Sequence, residues 1–213
     1  MKPTLTRVDA LPLAEHLARA LEAAHDELTA LDAAVGDGDL GVTCRLGMRA
    51  VLQLLPTLPE APLGELLTKG GLAFNAAGAS TYGALVATGA LRAGAYTRAH
   101  GETWDLATLT GALTAAAEGI QQRGKAARGD KTLLDALWPA LDALQAAQQA
   151  GAPLATALAA AATAAAQGAV ATTPLRAKFG RAAWMQERTL GVQDAGATVV
   201  AVVLQALAEY AAG

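Results

Sequence analysis

The chain has 213 residues, of which 53% are hydrophobic, 4% aromatic and 16% charged, and its formal net charge is −3. This apolar content can bury a core and excludes an intrinsically disordered chain, while the slightly acidic charge provides no overall basic field for nucleic acid or anionic membranes. The single cysteine, Cys44, cannot form an internal disulfide, and the first residues contain no apolar signal-peptide core, so we expect a cytoplasmic protein that binds no nucleic acid.

Helical periodicity runs through most of the chain and predicts an all-α fold. Leucines recur at helical spacing from Leu13 to Leu31, which predicts one long amphipathic helix with Asp9 as its N-cap. Asp130 is the expected N-cap of a later helix. After the first helix, the further helices are expected at 42–55, 63–77, 81–96, 104–122, 130–149, 153–169 and 194–211. The sequence thus predicts about eight amphipathic helices and no sheet, in a single domain covering residues 1–213.

Three stretches without charge, 70–91, 143–175 and 195–208, raise the question of a membrane span. Polar residues and glycine or proline interrupt the first two. The third is shorter than the roughly 20 residues that cross a bilayer as a helix. We therefore expect no membrane-spanning segment.

Three carboxylates lie close together in the sequence after the first helix. Asp32, Asp37 and Asp39 have no basic residue near them on either side, and Asp32 is expected near the helix C-terminus, where the helix dipole is already negative. Hard oxygen ligands without histidine or cysteine suit Mg²⁺. The alternative is a solvated acidic turn, and spacing alone leaves both interpretations open.

Two short turns precede predicted helices and offer backbone N–H groups to an anion. These are Gly78-Ala79-Ser80 and Asp194-Ala195-Gly196, and in each case the alternative is an ordinary tight turn between helices. A third stretch, 172–193, does not fit a helix and is longer than an ordinary connection, which is typical of functional loops, while its charge alone leaves a solvated loop equally open. Basic residues are concentrated in this stretch and near Gly124: Arg176, Lys178, Arg181 and Arg188 in the first group, and Arg123, Lys125, Arg128 and Lys131 in the second.

Five motifs in chain order resemble the nucleotide-binding L subunit of bacterial dihydroxyacetone kinases, the DhaL family. The resemblance covers nearly the whole chain, from residue 31 to residue 197. The motifs are Leu31 to Asp39 (LDAAVGDGD), Gly78-Ala79-Ser80, Gly129 to Leu137 (GDKTLLDAL), Gly180-Arg181-Ala182 and Glu187 to Ala197 (ERTLGVQDAGA).

The resemblance implies an antiparallel barrel of eight helices whose loops at one end hold ADP or ATP through two Mg²⁺ ions. By this resemblance Asp32, Asp37 and Asp39 are the metal ligands, and no side chain carries the phosphoryl group covalently. The residues implied to contact or enclose the nucleotide are Leu40, Gly41, Val42, Thr43, Ser80, Thr81, Gly124, Leu133, Arg181, Asp194, Ala195 and Gly196.

The implied activity is that of a kinase subunit, in which the γ-phosphoryl group passes from the nucleotide to dihydroxyacetone held on a separate K subunit. The resemblance leaves open whether free ATP is the donor or a phosphotransferase-system M subunit rephosphorylates bound ADP. It also leaves open whether the chain forms a homodimer.

Three positions depart from the pattern of the family. Leu40 stands where the family usually has histidine, Thr81 where it usually has glycine, and Ala195 where it usually has proline. Leucine removes a hydrogen-bond donor, and a Cβ at position 81 crowds the backbone approach. The alternative function is therefore a DhaL-like nucleotide-binding protein with modified catalysis, which regulates another protein or serves a different acceptor.

Overall fold

A computed structural model describes all residues from 1 to 213 and contains no strand, so the all-α prediction is confirmed. Short 3-10 turns occur at Arg7–Asp9, Leu55–Thr57 and Arg181–Thr189. The nine α-helices are α1 (Ala10–Ala23), α2 (His25–Val35), α3 (Leu40–Leu54), α4 (Leu63–Ala77), α5 (Thr81–His100), α6 (Leu106–Gly124), α7 (Leu134–Gln149), α8 (Leu154–Ala171) and α9 (Ala195–Ala212).

Local sequence signals account for where most helices begin. The side chains of Ser80, Asp105 and Asp194 each accept a hydrogen bond from a backbone N–H in the first turn of α5, α6 and α9, respectively. Pro62 and Pro153 directly precede α4 and α8, where a missing N–H costs nothing because no intrahelical partner exists for it.

Eight of the helices close into a ring. Each of α3 to α8 packs against the next helix in the chain, α1 packs against both α3 and α9, and α2 lies against the end of the ring beside α3 and α9. The largest apolar cluster contains 30 buried residues and is centred on α6 to α9, with fully buried leucines such as Leu109, Leu144 and Leu158. This arrangement is the eight-helix barrel that the resemblance implied.

Small residues let the helix backbones approach one another closely. A Cβ added at Gly168 on α8 would lie 2.3 Å from the carbonyl oxygen of Asp135 on α7, and one added at Gly94 on α5 would lie 2.5 Å from the carbonyl oxygen of Gly64 on α4. The alanines favour helix formation, and the glycines at these positions are required by the close packing of the helices.

Two predictions about the helices are wrong, and a third is right only in part. The predicted long first helix is interrupted at Ala24 and forms α1 and α2, which makes nine α-helices instead of about eight. The leucine repeat did not reveal the interruption, because a single residue separates two helices that keep nearly the same apolar spacing. Asp9 occupies the N-cap position of α1 as predicted, but its carboxylate accepts no hydrogen bond from that helix and instead accepts hydrogen bonds from Lys2, Thr6 and Tyr210. Asp130 does not cap α7, which begins at Leu134.

Two helices, Leu154–Ala171 and Ala195–Ala212, are long and apolar enough to cross a membrane by length and composition alone. Half of the residues of each helix are buried inside the protein, where α8 packs against α7 and α9. Contacts within the barrel therefore account for the apolar composition of both helices.

Candidate functional site

A polar cleft opens at one end of the barrel and has a volume of about 530 Å³. Four segments that are far apart in sequence form its walls: the α2–α3 loop, the start of α5, the α6–α7 connection and the segment that leads into α9. The volume falls in the range typical of small-molecule sites. The cleft is lined by Asp32, Val35, Gly36, Asp37, Asp39, Leu40, Ser80, Thr81, Tyr82, Ala84, Leu85, Ile120, Arg123, Gly124, Ala126, Lys131, Thr132, Leu133, Leu134, Phe179, Gly180, Arg181, Ala182, Asp194, Ala195 and Gly196.

Three carboxylates converge at one side of this cleft. One ligand oxygen from each of Asp32, Asp37 and Asp39 lies within 4.8 Å of the others. Asp32 is in the last turn of α2, and its second carboxylate oxygen accepts a hydrogen bond of 3.1 Å from the backbone N–H of Leu40, which fixes its orientation. Three like charges this close repel one another, so the cluster favours a bound cation.

Glycines make room for this arrangement. A Cβ at Gly36 would lie 2.7 Å from the Asp32 carboxylate, and Gly38 has a φ of +73°, which side chains other than glycine rarely adopt. The GDGD run thus bends the chain so that carboxylates on both sides of the turn face the same point. This observation supports the interpretation of the run as a metal-binding loop, because a solvated turn does not require its carboxylates to face one point.

A distant segment brings a positive charge to the acidic cluster. Arg181, in the 3-10 turn between α8 and α9, forms an ion pair with Asp37. Both side chains are substantially exposed, so solvent screens the pair and its contribution to stability is small. The pair shows instead that the long basic segment folds over the carboxylates.

Two helix N-termini point into the cleft. At α5 the Ser80 hydroxyl accepts a hydrogen bond of 3.0 Å from the Gly83 N–H, and at α9 the Asp194 carboxylate accepts one of 2.7 Å from the Ala197 N–H. Burial raises the pKa of Asp194 to about 7, the capping hydrogen bond opposes this, and the negative charge of Asp135 reinforces it. The remaining free N–H groups and the helix dipoles favour an anion here.

The structure gathers most of the predicted site residues. All three predicted metal ligands and nine of the twelve predicted nucleotide contacts line the cleft; the other three contacts do not. Gly41 packs so closely against α2 that a Cβ would lie 2.4 Å from the Thr29 hydroxyl. Val42 is exposed on the outside of α3, and Thr43 is buried beside Gly78.

Lys131 and Tyr82 also line the cleft and were not predicted as site residues. Lys131 belonged to the basic group near Gly124, yet it is only 2% exposed, and its ammonium donates hydrogen bonds to the carbonyl oxygens of Thr172 and Val192. Burial raises the pKa of Tyr82 well above its ordinary value. A sequence pattern cannot distinguish a buried lysine from its exposed neighbours, since the burial comes from segments about 40 and 60 residues further along the chain.

A sequence model of the DAK2 domain matches residues 34–209. The ADP-binding subunit DhaL of the PEP-dependent dihydroxyacetone kinase of Escherichia coli is 33% identical over 181 residues, which are 85% of this chain and 86% of DhaL. Human triokinase/FMN cyclase is 35% identical over 200 residues, which are 92% of this chain and 34% of that protein. The crystal structure of the dihydroxyacetone kinase from C. freundii in complex with AMP-PNP and Mg²⁺ superposes with a TM-score of 0.75 at 29% identity, covering 98% of this chain and 35% of that one.

Proposed function

The chain belongs to the DAK2 domain family, and from this premise we propose that residues 1–213 act as a single domain that binds ADP or ATP with Mg²⁺, as the L subunit of a dihydroxyacetone kinase. One observation carries the proposal: the oxygens of Asp32, Asp37 and Asp39 converge within 4.8 Å in a cleft that two helix N-termini also line. Acidic and anion-binding groups in one cleft match a ligand that contains both a cation and phosphates. The related C. freundii kinase was crystallised with such a ligand.

The donor atoms fit magnesium. Asp32, Asp37 and Asp39 supply hard oxygens, and no histidine or cysteine lines the cleft. Three carboxylates are enough for two Mg²⁺ ions, which typically complete their shells with water and phosphate oxygens. When bound, Mg²⁺ neutralises phosphate charge and so assists phosphoryl transfer.

Other residues that line the cleft suit the phosphates and the base. Ser80 and Thr81 begin α5, and Asp194, Ala195 and Gly196 begin α9, so backbone N–H groups from both helices are available to phosphate oxygens. Gly124 ends α6 and Leu133 directly precedes α7, and the two offer an apolar wall for the base. Arg181 carries the additional positive charge, for which Asp37 is the partner in the free protein.

The same cleft explains why a partner subunit is part of the proposal. Phosphoryl transfer requires positioning and charge neutralisation more than covalent chemistry, and this cleft supplies both. The acceptor, dihydroxyacetone, would be held by a K subunit that docks at the open end. The E. coli relative is named as a subunit of a PEP-dependent kinase, which supports a partner and also an M subunit that rephosphorylates bound ADP. A buried, free Cys44 is consistent with the cytoplasm.

Isothermal titration of the EDTA-stripped chain with ADP, with and without Mg²⁺, tests nucleotide binding. We expect tight binding only with Mg²⁺, and at least about tenfold weaker binding for Asp37→Asn, which removes one ligand charge. Asp26→Asn is the matched control, because Asp26 is exposed on α2 and lies outside the cleft. Binding of ADP without any need for metal, or equal affinities of the two variants, would contradict the assignment.

A second candidate keeps the nucleotide and replaces the reaction, giving a regulatory protein or a kinase for another acceptor. It is favoured by Leu40, which is 6% exposed and offers no side-chain donor to the cleft. Mixing the chain with a K subunit, Mg²⁺–ATP and dihydroxyacetone separates the two candidates. Formation of dihydroxyacetone phosphate supports the first, and inactivity of a chain that binds nucleotide supports the second.

A further inference from the structure

The segment between α8 and α9 is a loop whose two ends meet. The N–H of Gly191 donates a hydrogen bond of 2.9 Å to the carbonyl oxygen of Thr173, and the N–H of Asp194 donates one of 2.8 Å to the Thr172 hydroxyl. We call residues 172–193 the cover loop. Its distal part carries Arg181, which reaches Asp37, and Trp184, which is 88% exposed.

Lys131 joins the two ends of the cover loop from outside it. Its ammonium donates hydrogen bonds of 2.8 Å to the carbonyl oxygen of Thr172 and of 2.5 Å to that of Val192. These carbonyls lie at opposite ends of the loop, so a single buried cation spans its base. A buried ammonium needs such partners, because an unpaired buried charge is strongly unfavourable.

The turn that carries Lys131 is itself held in place. Lys131 has a φ of +60°, which lysine rarely adopts. The Asp135 carboxylate accepts hydrogen bonds from the N–H groups of Gly129 and Thr132, on both sides of Lys131. Lys131 is therefore directed toward the loop base by a fixed backbone rather than by a flexible side chain alone.

Asp130, the neighbour of Lys131, holds the first limb of the cover loop. Its carboxylate lies 2.7 Å from the Lys178 ammonium, and its carbonyl oxygen accepts a hydrogen bond of 3.3 Å from the Lys178 N–H. Lys178 is three positions before Arg181. The turn thus contacts the loop at its two ends and close to the arginine that reaches the acidic cluster.

We propose that Lys131 is a positioning residue that, together with Asp130, ties the cover loop at its base and keeps Arg181 over the carboxylates of the cleft. These contacts of Lys131 and Asp130 with the cover loop are present in the free protein. Their consequence for ligand affinity rests on the nucleotide-binding function proposed above. Lys131 touches no reacting atom in this role. Because Lys131 also lines the cleft, the connection that forms one wall of the cleft also holds the loop that covers it.

Trypsin cleavage within the cover loop, measured without nucleotide, tests the tie directly. The loop contains Arg176, Lys178, Arg181 and Arg188 as cleavage sites. We expect Lys131→Met to be cut in the loop at least about tenfold faster than wild type, because two charge-assisted hydrogen bonds are lost. Lys125→Met is the matched control, since Lys125 lies in the same connection with a φ of +61° but is exposed. Equal loop cleavage of the two variants would overturn the proposal.

The ligand consequence is tested by titrating Mg²⁺ alone and Mg²⁺–ADP. In Lys131→Met we expect Mg²⁺ alone to bind at least as tightly as to wild type, because the carboxylates are intact and Arg181 is no longer held against Asp37, and Mg²⁺–ADP to bind about tenfold more weakly, because the cover loop is loose. Equal weakening of both ligands would indicate general loosening and overturn the positioning role. If wild type binds no Mg²⁺–ADP, the proposed function fails while the cleavage comparison still decides the tie.

A second variant keeps the test decisive if Lys131→Met does not fold. Asp130→Asn removes the charge opposite Lys178 and retains an acceptor for the Ala127 N–H, which donates to this side chain at 2.7 Å. Several-fold faster cleavage in the loop, with an unchanged urea midpoint, is the expected result. Cleavage at the wild-type rate in a folded Asp130→Asn protein would overturn the contribution of this turn.

Discussion

Asp194→Asn should make the stability of the protein less dependent on pH. The Asp194 carboxylate caps α9 through a hydrogen bond of 2.7 Å from the Ala197 N–H, and burial raises its pKa from 3.8 to about 7. Asparagine caps helices about as well as aspartate, so the substitution keeps the hydrogen bond and removes the titration.

The sign follows from the raised pKa of Asp194. The folded state holds the proton more tightly than the unfolded state, so the free energy of unfolding falls as the pH rises from the unfolded pKa through the folded one. The difference between the folded and unfolded pKa values of Asp194 corresponds to at most about 4 kcal/mol of the free energy of unfolding. About 3 kcal/mol of this contribution is lost between about pH 5 and about pH 8.5. The free energy of unfolding of Asp194→Asn, measured relative to that of wild type, should therefore be about 3 kcal/mol higher at about pH 8.5 than at about pH 5.

Urea unfolding of both proteins at the two pH values measures this difference, provided that the m-value is unchanged. Asp105→Asn is the control: Asp105 caps α6 through a bond of 2.8 Å from the Thr108 N–H, but it is exposed. Its effect on stability should be the same at both pH values within about 0.5 kcal/mol. If the Asp194 and Asp105 variants show the same pH dependence, the buried carboxylate does not titrate as the structure implies.

Three further predictions concern the cover loop, helix packing and the reaction. Arg181→Gln should bind Mg²⁺ alone more tightly and Mg²⁺–ADP more weakly in isothermal titration, because Arg181 competes with cations for Asp37. Arg188→Gln, on the same loop, should change neither affinity. Weaker binding of Mg²⁺ alone by Arg181→Gln would refute the reasoning. Gly168→Ala should lower the free energy of unfolding in urea by about 1–3 kcal/mol, because the added Cβ would lie 2.3 Å from the α7 backbone. Gly70→Ala is the control and should not destabilise the protein, because the nearest atom to its added Cβ is 3.9 Å away. Leu40→His should raise phosphorylation of dihydroxyacetone in the presence of a K subunit, and an unchanged rate would show that the leucine is tolerated.

Much of the site could be predicted because its signals are local. Ser80 and Asp194 precede apolar helices and do cap α5 and α9. The GDGD run carries both the carboxylates and the glycines that let them converge. By contrast, Gly41, Val42 and Thr43 were expected at the nucleotide only because of the resemblance to the family. They lie in the first turn of α3, where helix geometry directs them away from the cleft.

The amino-acid sequence by itself determined the helical class, the approximate helix positions and the acidic loop, because periodicity, caps and glycine turns act over a few residues. Only the tertiary structure decided that α1 joins α9 to close the barrel, that Arg181 reaches Asp37, and that Lys131 is a buried tie rather than an exposed charge. Those contacts join residues that are far apart in the chain. Their partners are selected by the packing of all the helices together, which no local pattern specifies.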